Sequence, residues 1–445
     1  MKRKILKNLQ SAWLAALVLF AGATVLAPIA SAHDPAPDDQ ILEWNQIFID
    51  TIIASNTANS SSHRLGAIVH GSIFDAYNGI EKRYTPLFVQ PAAAPGASRR
   101  TAVIAAAYTA LVGLFPTRQA ELDASYAASL AAFDANASGA SALQRAIAWQ
   151  SRQRGIDWGT KVALAILAWR ANDGFSGSYA AFSGGTAVGQ WRPLPPATSM
   201  SAQALAFTDT FVVPNNSMFR PPAPRALTSA TYTDDFNAVK ALGRKTGSTR
   251  TDDQTALAPF WEGNASVHWN SAANQMARAN HLSMSKTNRL FALLNVTLAD
   301  TVFTIWSAKR FYGDAQTEVT WRPQTAITLA DTDNNLDTAS DAGWVPLITT
   351  PSHPEYPAGH PSLNGAAATV LLMHFSDKQA PFTLTTAGLP DRTYTRISQA
   401  RADGDNARVW GGMHYPSTIE ISDGVGKSIA RYVNRNAMRE RHPKH

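Results

Sequence analysis

Apolar side chains recur at steps of three and four residues along most of this chain, and this period predicts α-helices. Two segments show it most clearly, each with one apolar stripe. The first stripe contains Leu65, Ile68, Val69, Ile73, Ala76 and Ile80, and the second contains Leu290, Leu293, Leu294, Leu298, Val302 and Ile305. A short β-prone stretch, Phe382–Thr385, predicts a minor hairpin. The predicted fold class is all-α, a helical bundle.

Further helices are predicted on both sides of a proline-rich segment. They cover residues 102–114, 116–133, 142–169, a stretch from about 231, a stretch after His360, and 421–437. Seven prolines lie between residues 184 and 224, where a helix is not expected. The segment is read as an ordered loop anchored by Trp191, Phe211 and Phe219, or alternatively as a linker.

The predicted domain organisation follows from this pattern. Residues 33–183 form an N-terminal helical region, 184–225 a Pro/Gly-rich loop, and 226–445 a C-terminal helical region that carries the candidate site. We expect residues 33–445 to form one compact domain, because the loop crosses a shared helical body.

The N-terminus has the layout of a secretory signal peptide. Four basic residues precede an apolar run over 12–29, which ends in Ala30-Ser31-Ala32. Removal of residues 1–32 takes four of the 39 basic residues and none of the 33 acidic ones, so the net charge falls from +6 to about +2. The sequence therefore predicts a secreted or periplasmic protein that does not bind nucleic acid. An uncleaved membrane anchor is the alternative; no later stretch predicts stable membrane insertion.

The chain contains no cysteine. This excludes disulfides, thiolate metal ligands and a cysteine nucleophile. Any catalytic centre must therefore use histidine, carboxylate, hydroxyl or cationic side chains.

Three segments of the C-terminal half carry such side chains. They are Trp321-Arg322-Pro323 with Lys309 upstream, His353-Pro354-Glu355-Tyr356-Pro357-Ala358-Gly359-His360, and Arg408-Val409-Trp410-Gly411-Gly412-Met413-His414. Arginine and lysine are donors for a tetrahedral oxyanion. A glycine at the start of a helix adds free backbone N–H groups, and two histidines can act as ligand or nucleophile and as acid–base. Each piece alone is common in loops and caps; their joint occurrence in this order is specific.

At these residues the chain resembles the vanadium-dependent haloperoxidases of the bacterial secreted branch, which share a fold and an anion site with type 2 phosphatidic acid phosphatases and bacterial acid phosphatases. The superfamily pattern is Lys-x6-Arg-Pro, Pro-Ser-Gly-His and Ser-Arg-x5-His. The counterparts here are Arg322-Pro323, Pro357–His360 and Ala407–His414. Further likeness is found at residues 170–174, 219–222, 290–295 and 343–344.

The resemblance implies a role for each matched residue. His414 bonds to vanadium, or attacks phosphorus in a phosphatase, and His360 is the acid–base. Lys309 polarises bound peroxide. The oxyanion is held by Arg322, Gly359, Arg408 and position 358. The implied cofactor is vanadate, and the implied substrates are hydrogen peroxide, a halide and a small organic acceptor.

The chain departs from the family pattern at two places. Lys309 and Arg322 are 13 residues apart rather than 7, which on one helix corresponds to roughly 1300° and opposite faces. They can meet only if the helix breaks, and Gly313-Asp314 offers the break; Arg310 is the fallback donor. Ala358 replaces the motif serine and removes a hydroxyl donor worth roughly 1.5–3 kcal/mol to a bound anion.

Two further residues are assigned to the surroundings of the site. His353 is either a capping or surface histidine or a group that tunes peroxide protonation or halide choice. Asp300 is expected to be a buried partner of an arginine or a polar contact within its helix.

Three functions remain open at this point. The first is a secreted vanadate-dependent haloperoxidase. The second is an acid phosphatase that has no cofactor, takes phosphate esters as substrate and uses His414 as nucleophile. The third is a non-catalytic oxyanion-binding protein, although binding alone does not need both His360 and His414. A homodimer is also possible.

Overall fold

In the computed structural model, residues 39–135, 141–315 and 319–441 are described, and they form thirteen α-helices and one two-stranded sheet. The predicted signal peptide, residues 1–32, lies outside them. The helices are α1 Gln40–Ala54, α2 Asn59–Glu81, α3 Arg99–Leu114, α4 Gln119–Ala135, α5 Ala142–Arg170, α6 Ala230–Leu242, α7 Asp252–Phe260, α8 Ala265–Ala279, α9 Met284–Asp314, α10 Pro323–Thr328, α11 Gly359–Leu372, α12 Ile397–Trp410 and α13 Pro416–Asn436. Strands β1 Lys378–Leu384 and β2 Arg392–Arg396 pair antiparallel.

The all-α prediction and the minor hairpin are confirmed. Every predicted helix is present, with boundaries shifted by a few residues at most sites. Five helices were not predicted from the sequence, namely α1, α7, α8, α10 and α12. The last of these matters most, because it delivers part of the candidate site.

Polar caps explain where several helices begin. Ser141 and Gln144 form a reciprocal capping box at the start of α5, and Thr251 and Gln254 do the same for α7. Pro323 and Pro416 occupy the first turns of α10 and α13, where a missing N–H costs nothing.

Helix α9 forms the centre of the molecule and packs against α2, α11 and α13. Its most apolar 18-residue window is long and apolar enough to cross a membrane, but 94% of that window is buried inside the protein. The sequence analysis predicted this helix but not that it is apolar enough to span a membrane. Its burial is what a core helix requires, since the same apolar surface is already covered by neighbouring helices.

Helices α11 and α13 approach closely at Gly426. A Cβ atom there would lie 1.9 Å from the Ser362 carbonyl oxygen. The absence of a side chain at this position therefore permits the contact that holds the beginning of α11, and with it His360, against α13.

The proline-rich segment is an ordered loop, as preferred from the sequence. It has one 3₁₀ turn, Gln203–Phe207, and is anchored by the buried Trp191 and Phe211, while Phe219 is half-buried. Asp300 of α9 fixes the backbone of this loop by hydrogen bonds. Its carboxylate accepts hydrogen bonds from the backbone N–H groups of residues 211–213, at 2.6, 2.9 and 2.9 Å.

Candidate oxyanion site

A cavity of about 230 Å³ lies where the two halves of the chain meet. Its wall combines residues from both helical regions, the proline-rich loop and the ends of several helices. They are Asn59, Ser60, Ser201, Glu262, Val302, Trp306, Pro351, His353, Gly359, His360, Leu363, Arg408 and His414. The cavity therefore brings together both histidines of the family pattern and the second arginine.

His360 is positioned by the start of α11, directly after Gly359. Its Nε2 atom lies 3.1 Å from Nδ2 of Asn59. The Asn59 oxygen accepts the backbone N–H of Ala265 at 3.0 Å, so the amide NH₂ faces the imidazole and donates to it. Burial, followed by the positive charge of Arg408, lowers the pKa of His360 well below its ordinary value. The imidazole is thus neutral, with an acceptor at Nε2.

Arg408 and His414 are brought together by the turn that ends α12. Gly412 has a φ of +78°, and a Cβ atom there would lie 2.8 Å from the Gly243 carbonyl oxygen. This left-handed residue reverses the chain, so that the backbone N–H groups of Met413 and His414 return to the Arg408 carbonyl at 2.9 and 3.3 Å. The double glycine noted in the sequence forms the predicted turn.

The Arg408 guanidinium is buried with unused donors. Its Nε and Nη1 atoms have no hydrogen-bond partner among the residues that the structure describes, although the side chain is almost fully buried. Burial lowers the pKa of Arg408 to about 10, opposed in part by Glu262 at the cavity mouth. Two orphaned cationic donors at the wall of a cavity are what an anion would satisfy.

His414 is held at both ring nitrogens. Nδ1 lies 2.8 Å from Oε1 of Glu355, and Nε2 lies 3.1 Å from Nη1 of Arg322. Burial lowers the pKa of His414 well below its ordinary value, and the charges of Arg322, Lys309 and Arg408 act in the same direction. The three cations expected from the sequence therefore surround this imidazole.

Arg322 connects His414 to His353. Its Nε donates to the His353 carbonyl at 2.9 Å, and its Nη2 donates to His353 Nδ1 at 2.8 Å. Nη1 also donates to the Met413 carbonyl at 2.9 Å. Burial lowers the pKa of Arg322 to about 9. His353 is partly buried and lines the cavity beside Trp306, with ring centroids 5.2 Å apart.

Lys309 is fully buried behind the cavity wall. Helix α9 ends at Asp314, which confirms the predicted break between Lys309 and Arg322. The Lys309 ammonium donates to the carbonyl oxygens of Pro354 and Glu355, at 2.6 and 3.1 Å. Burial, followed by the charge of Arg322, lowers its pKa well below the ordinary value, against the pull of Glu355. Neither Lys309 nor Arg322 is among the residues that line the cavity.

The remaining predicted residues lie around this centre or away from it. Ala358 is buried, and its N–H donates to Ser422 Oγ at 2.8 Å. Arg310, the fallback for Lys309, is ion-paired with Asp314. Asp300 makes its hydrogen bonds to the proline-rich loop instead of to the cavity residues, and its arginine neighbour is Arg170, which acts on it electrostatically.

Sequence reasoning missed two residues of the site, Glu355 and Asn59. Glu355 lies in the second segment, where a carboxylate five residues before the motif histidine is a usable signal, but no role is predicted for it from the sequence. Asn59 comes from the first helical region, 301 residues before His360. Nothing in the local sequence marks it.

The donor set suits an oxyanion better than a metal cation. No group of three or more His, Cys, Asp or Glu side chains suited to a metal ion occurs within the described ranges. Cations, the α11 N-terminus and one histidine nitrogen are instead arranged to accept a tetrahedral anion. The orphaned Nε and Nη1 atoms of Arg408 show that the residues present fit vanadate or phosphate.

Comparison with known proteins agrees with this geometry. Residues 289–442 match the family model of the VCPO second helical-bundle domain. This match contains all three motif segments. Comparison with the curated proteins gives no significant match.

Similar solved structures are bacterial vanadium haloperoxidases. A bacterial vanadium-dependent iodoperoxidase is 21% identical, with a TM-score of 0.71 over 91% of this chain and 98% of the other. A bacterial vanadium-dependent chloroperoxidase is 15% identical: its holo form has a TM-score of 0.61 over 84% of this chain and 91% of the other, and its apo form has 0.60 over 84% and 92%. The chain has the vanadium haloperoxidase fold, and the resemblance predicted from its motifs is confirmed.

Proposed function

We propose that this chain is a secreted vanadate-dependent haloperoxidase that oxidises a halide with hydrogen peroxide. The observation that carries the proposal is the cavity in which His360, His414 and Arg408 converge within a haloperoxidase fold, with two Arg408 donors that have no partner in the described part of the chain. Vanadate, when bound, supplies the activation of hydrogen peroxide towards halide.

The protein side chains divide the remaining work. Arg408 uses its two free donors, together with the Gly359 N–H, to bind anionic oxygens and offset their charge. His414 would hold vanadate through Nε2, the atom to which Arg322 donates a hydrogen bond in this structure. Lys309 contributes charge from behind the wall rather than direct contact, since its ammonium is bonded to two backbone carbonyls.

His360 is the proposed proton acceptor. Its neutral ring offers Nε2, which accepts a hydrogen bond from Asn59 and lies at the cavity wall. A proton taken up at this atom would displace the Asn59 donor and return when the product leaves. His360 is largely buried but keeps part of its surface at the cavity, where peroxide and halide can reach it.

The deciding experiment compares two reactions of one preparation. The mature protein is assayed for oxidation of iodide, bromide and chloride by peroxide, with and without orthovanadate, and for aryl-phosphate hydrolysis. We expect halide oxidation that requires vanadate. Phosphate-ester hydrolysis that vanadate inhibits would replace the proposal with an acid phosphatase, and anion binding without either reaction would replace it with a binding protein.

Single substitutions then test the residue roles. His414→Ala and Arg408→Ala should abolish the vanadate-dependent reaction and weaken vanadate binding, whereas His360→Ala should reduce turnover and leave vanadate binding within a few-fold. His374→Gln is the matched control, because this histidine lies just beyond α11 and bonds to the Val370 carbonyl. Its activity should equal that of the wild type.

Secretion has its own test. The protein recovered from outside the cytoplasm should begin after Ala32, as shown by intact mass and N-terminal sequencing. Recovery of the uncleaved chain in the membrane fraction would favour the anchor instead.

A further inference from the structure

The carboxylate of Glu355 lies behind His414, on the side away from the cavity. It is 2% exposed, and its Oε1 lies 2.8 Å from His414 Nδ1. The same oxygen accepts the Tyr415 backbone N–H at 3.3 Å, and Oε2 accepts the Thr418 hydroxyl at 3.2 Å. The Tyr415 N–H and the Thr418 hydroxyl thus fix one buried carboxylate against one imidazole nitrogen.

The hydrogen bonds around His414 determine which nitrogen carries the proton. Arginine has only donors, so Nε2 of His414 must accept the hydrogen bond from Arg322 and must carry a lone pair. A neutral imidazole with a lone pair on Nε2 has its proton on Nδ1. That proton points at Glu355, whose Oε1 already accepts a backbone N–H and therefore acts as an acceptor.

We propose that Glu355 is a positioning residue that holds His414 in the Nδ1–H tautomer, so that the Nε2 lone pair is kept for the oxyanion site. The proposal rests on the proposed function for the role of Nε2, but the tautomer is a property of the protein alone. A carboxylate behind a ligating imidazole also raises the basicity of the other nitrogen and fixes the ring plane.

The backbone around Glu355 is fixed as firmly as its side chain. Its N–H donates to the Thr320 carbonyl at 2.9 Å, and its carbonyl accepts from Lys309 Nζ at 3.1 Å. The segment between the first two motifs is thereby tied to the segment that precedes α11. Lys309, whose spacing departs from the family pattern, thus helps to hold the peptide that carries Glu355.

The first measurement is independent of catalysis and of vanadate. Nitrogen-15 NMR of histidine-labelled protein reports which nitrogen of His414 is protonated, with His414→Gln used for assignment. We expect a protonated Nδ1 and an unprotonated Nε2 in the wild type. In Glu355→Leu the buried Nδ1–H has no acceptor at this position, so the ring should give up the Arg322 hydrogen bond and lose this tautomer or mix both, while Arg322 Nη1 keeps its bond to the Met413 carbonyl. Glu355→Gln should retain the tautomer, because its amide oxygen can accept from Nδ1 while its NH₂ donates to Thr418.

The second measurement uses inorganic orthovanadate as the probe. Loss of a hydrogen-bonding partner behind a metal-ligating histidine reduces affinity by roughly 10–100-fold. We expect such a loss for Glu355→Leu and a smaller one for Glu355→Gln, by calorimetric titration. Glu440→Gln is the control, since that surface carboxylate pairs with Arg83. Circular dichroism establishes that each variant is folded.

The outcomes separate this proposal from the proposed function. If the wild type shows a protonated Nε2, or if folded Glu355→Leu keeps both the tautomer and the vanadate affinity, the role of Glu355 is refuted. If vanadate does not bind the wild type while the tautomer depends on Glu355 as described, the positioning role holds and the haloperoxidase proposal fails. Should Glu355→Leu not fold, a Glu355→Gln protein with a protonated Nε2 would also refute the proposal.

Discussion

Arg408 offers the sharpest test of whether the site is built for an anion. Burial lowers its pKa from 12.5 to about 10, and at roughly 1.36 kcal/mol per pH unit this corresponds to about 3 kcal/mol of unfavourable free energy for the buried charge. The Nε and Nη1 donors add to this cost, because neither has a hydrogen-bond partner among the described residues and each unsatisfied buried group costs about 1–3 kcal/mol. Without a bound anion, the buried Arg408 guanidinium therefore lowers the free energy of unfolding of the protein.

Replacement by methionine removes that cost and keeps much of the side-chain length. We expect Arg408→Met to unfold a few degrees above the wild type when no anion is present, reflecting a gain of about 2 kcal/mol. Orthovanadate or phosphate should raise the wild-type Tm, because a ligand at a hundredfold excess over its Kd adds about 2.7 kcal/mol. The variant should show no such rise.

Differential scanning calorimetry with and without each anion measures both effects. Arg401→Met is the matched control on the same helix, since Arg401 is paired with Asp423 at 2.8 Å and its loss should not stabilise. A lower Tm for Arg408→Met without anion would show that the guanidinium is already satisfied. An unchanged response to phosphate would show that Arg408 does not bind the oxyanion.

Three more substitutions test contacts that position the site. Asn59→Ala should lower turnover while vanadate titration shows an unchanged Kd, because His360 loses its donor and the Ala265 N–H its acceptor, whereas Arg408 and His414 keep their surroundings; weaker vanadate binding would contradict this. Asp300→Asn should destabilise, since an amide has one acceptor oxygen. Burial raises the Asp300 pKa from 3.8 to about 6, so the folded wild type binds more protons than the unfolded chain between these values and loses stability as pH rises. The deficit of the variant should therefore shrink by about 2 kcal/mol between about pH 4 and about pH 6 in urea titrations; a constant deficit would exclude the assigned burial effect. Gly426→Ala should destabilise by more than about 2 kcal/mol in urea titrations, because its methyl group meets the Ser362 carbonyl; a wild-type midpoint would show that α11 and α13 can move apart.

The helices and turns could be predicted from the sequence, because they depend on residues that are close together along the chain. An apolar period of three to four residues, a capping residue or an early proline acts within a few turns, and the predicted helices were found at nearly their expected places. The break after Gly313-Asp314 and the glycine turn at Gly411-Gly412 were readable for the same reason. Helices α7 and α8 were missed because their apolar faces are short or interrupted by polar residues that packing buries, such as Asn270.

The distribution of charge at the site needed the tertiary structure. Arg322, Arg408 and Lys309 look equivalent in sequence, yet Arg322 is bonded to two histidine rings, Lys309 to two carbonyls, and Arg408 keeps two donors free. A cation is available to an anion only if no other segment places an acceptor within hydrogen-bond distance of it. The spacing of residues along the chain does not determine where those acceptors lie.

The amino-acid sequence by itself determined the helices, the motif residues and the likeness to a family, since these follow from residue type and short-range spacing. Only the folded chain decided that Asn59 supports His360 from 301 residues away and that Glu355 supports His414 from 59 residues away. Such pairings arise when helices pack and water is removed, because a buried imidazole must then find its hydrogen-bond partners wherever the fold provides them.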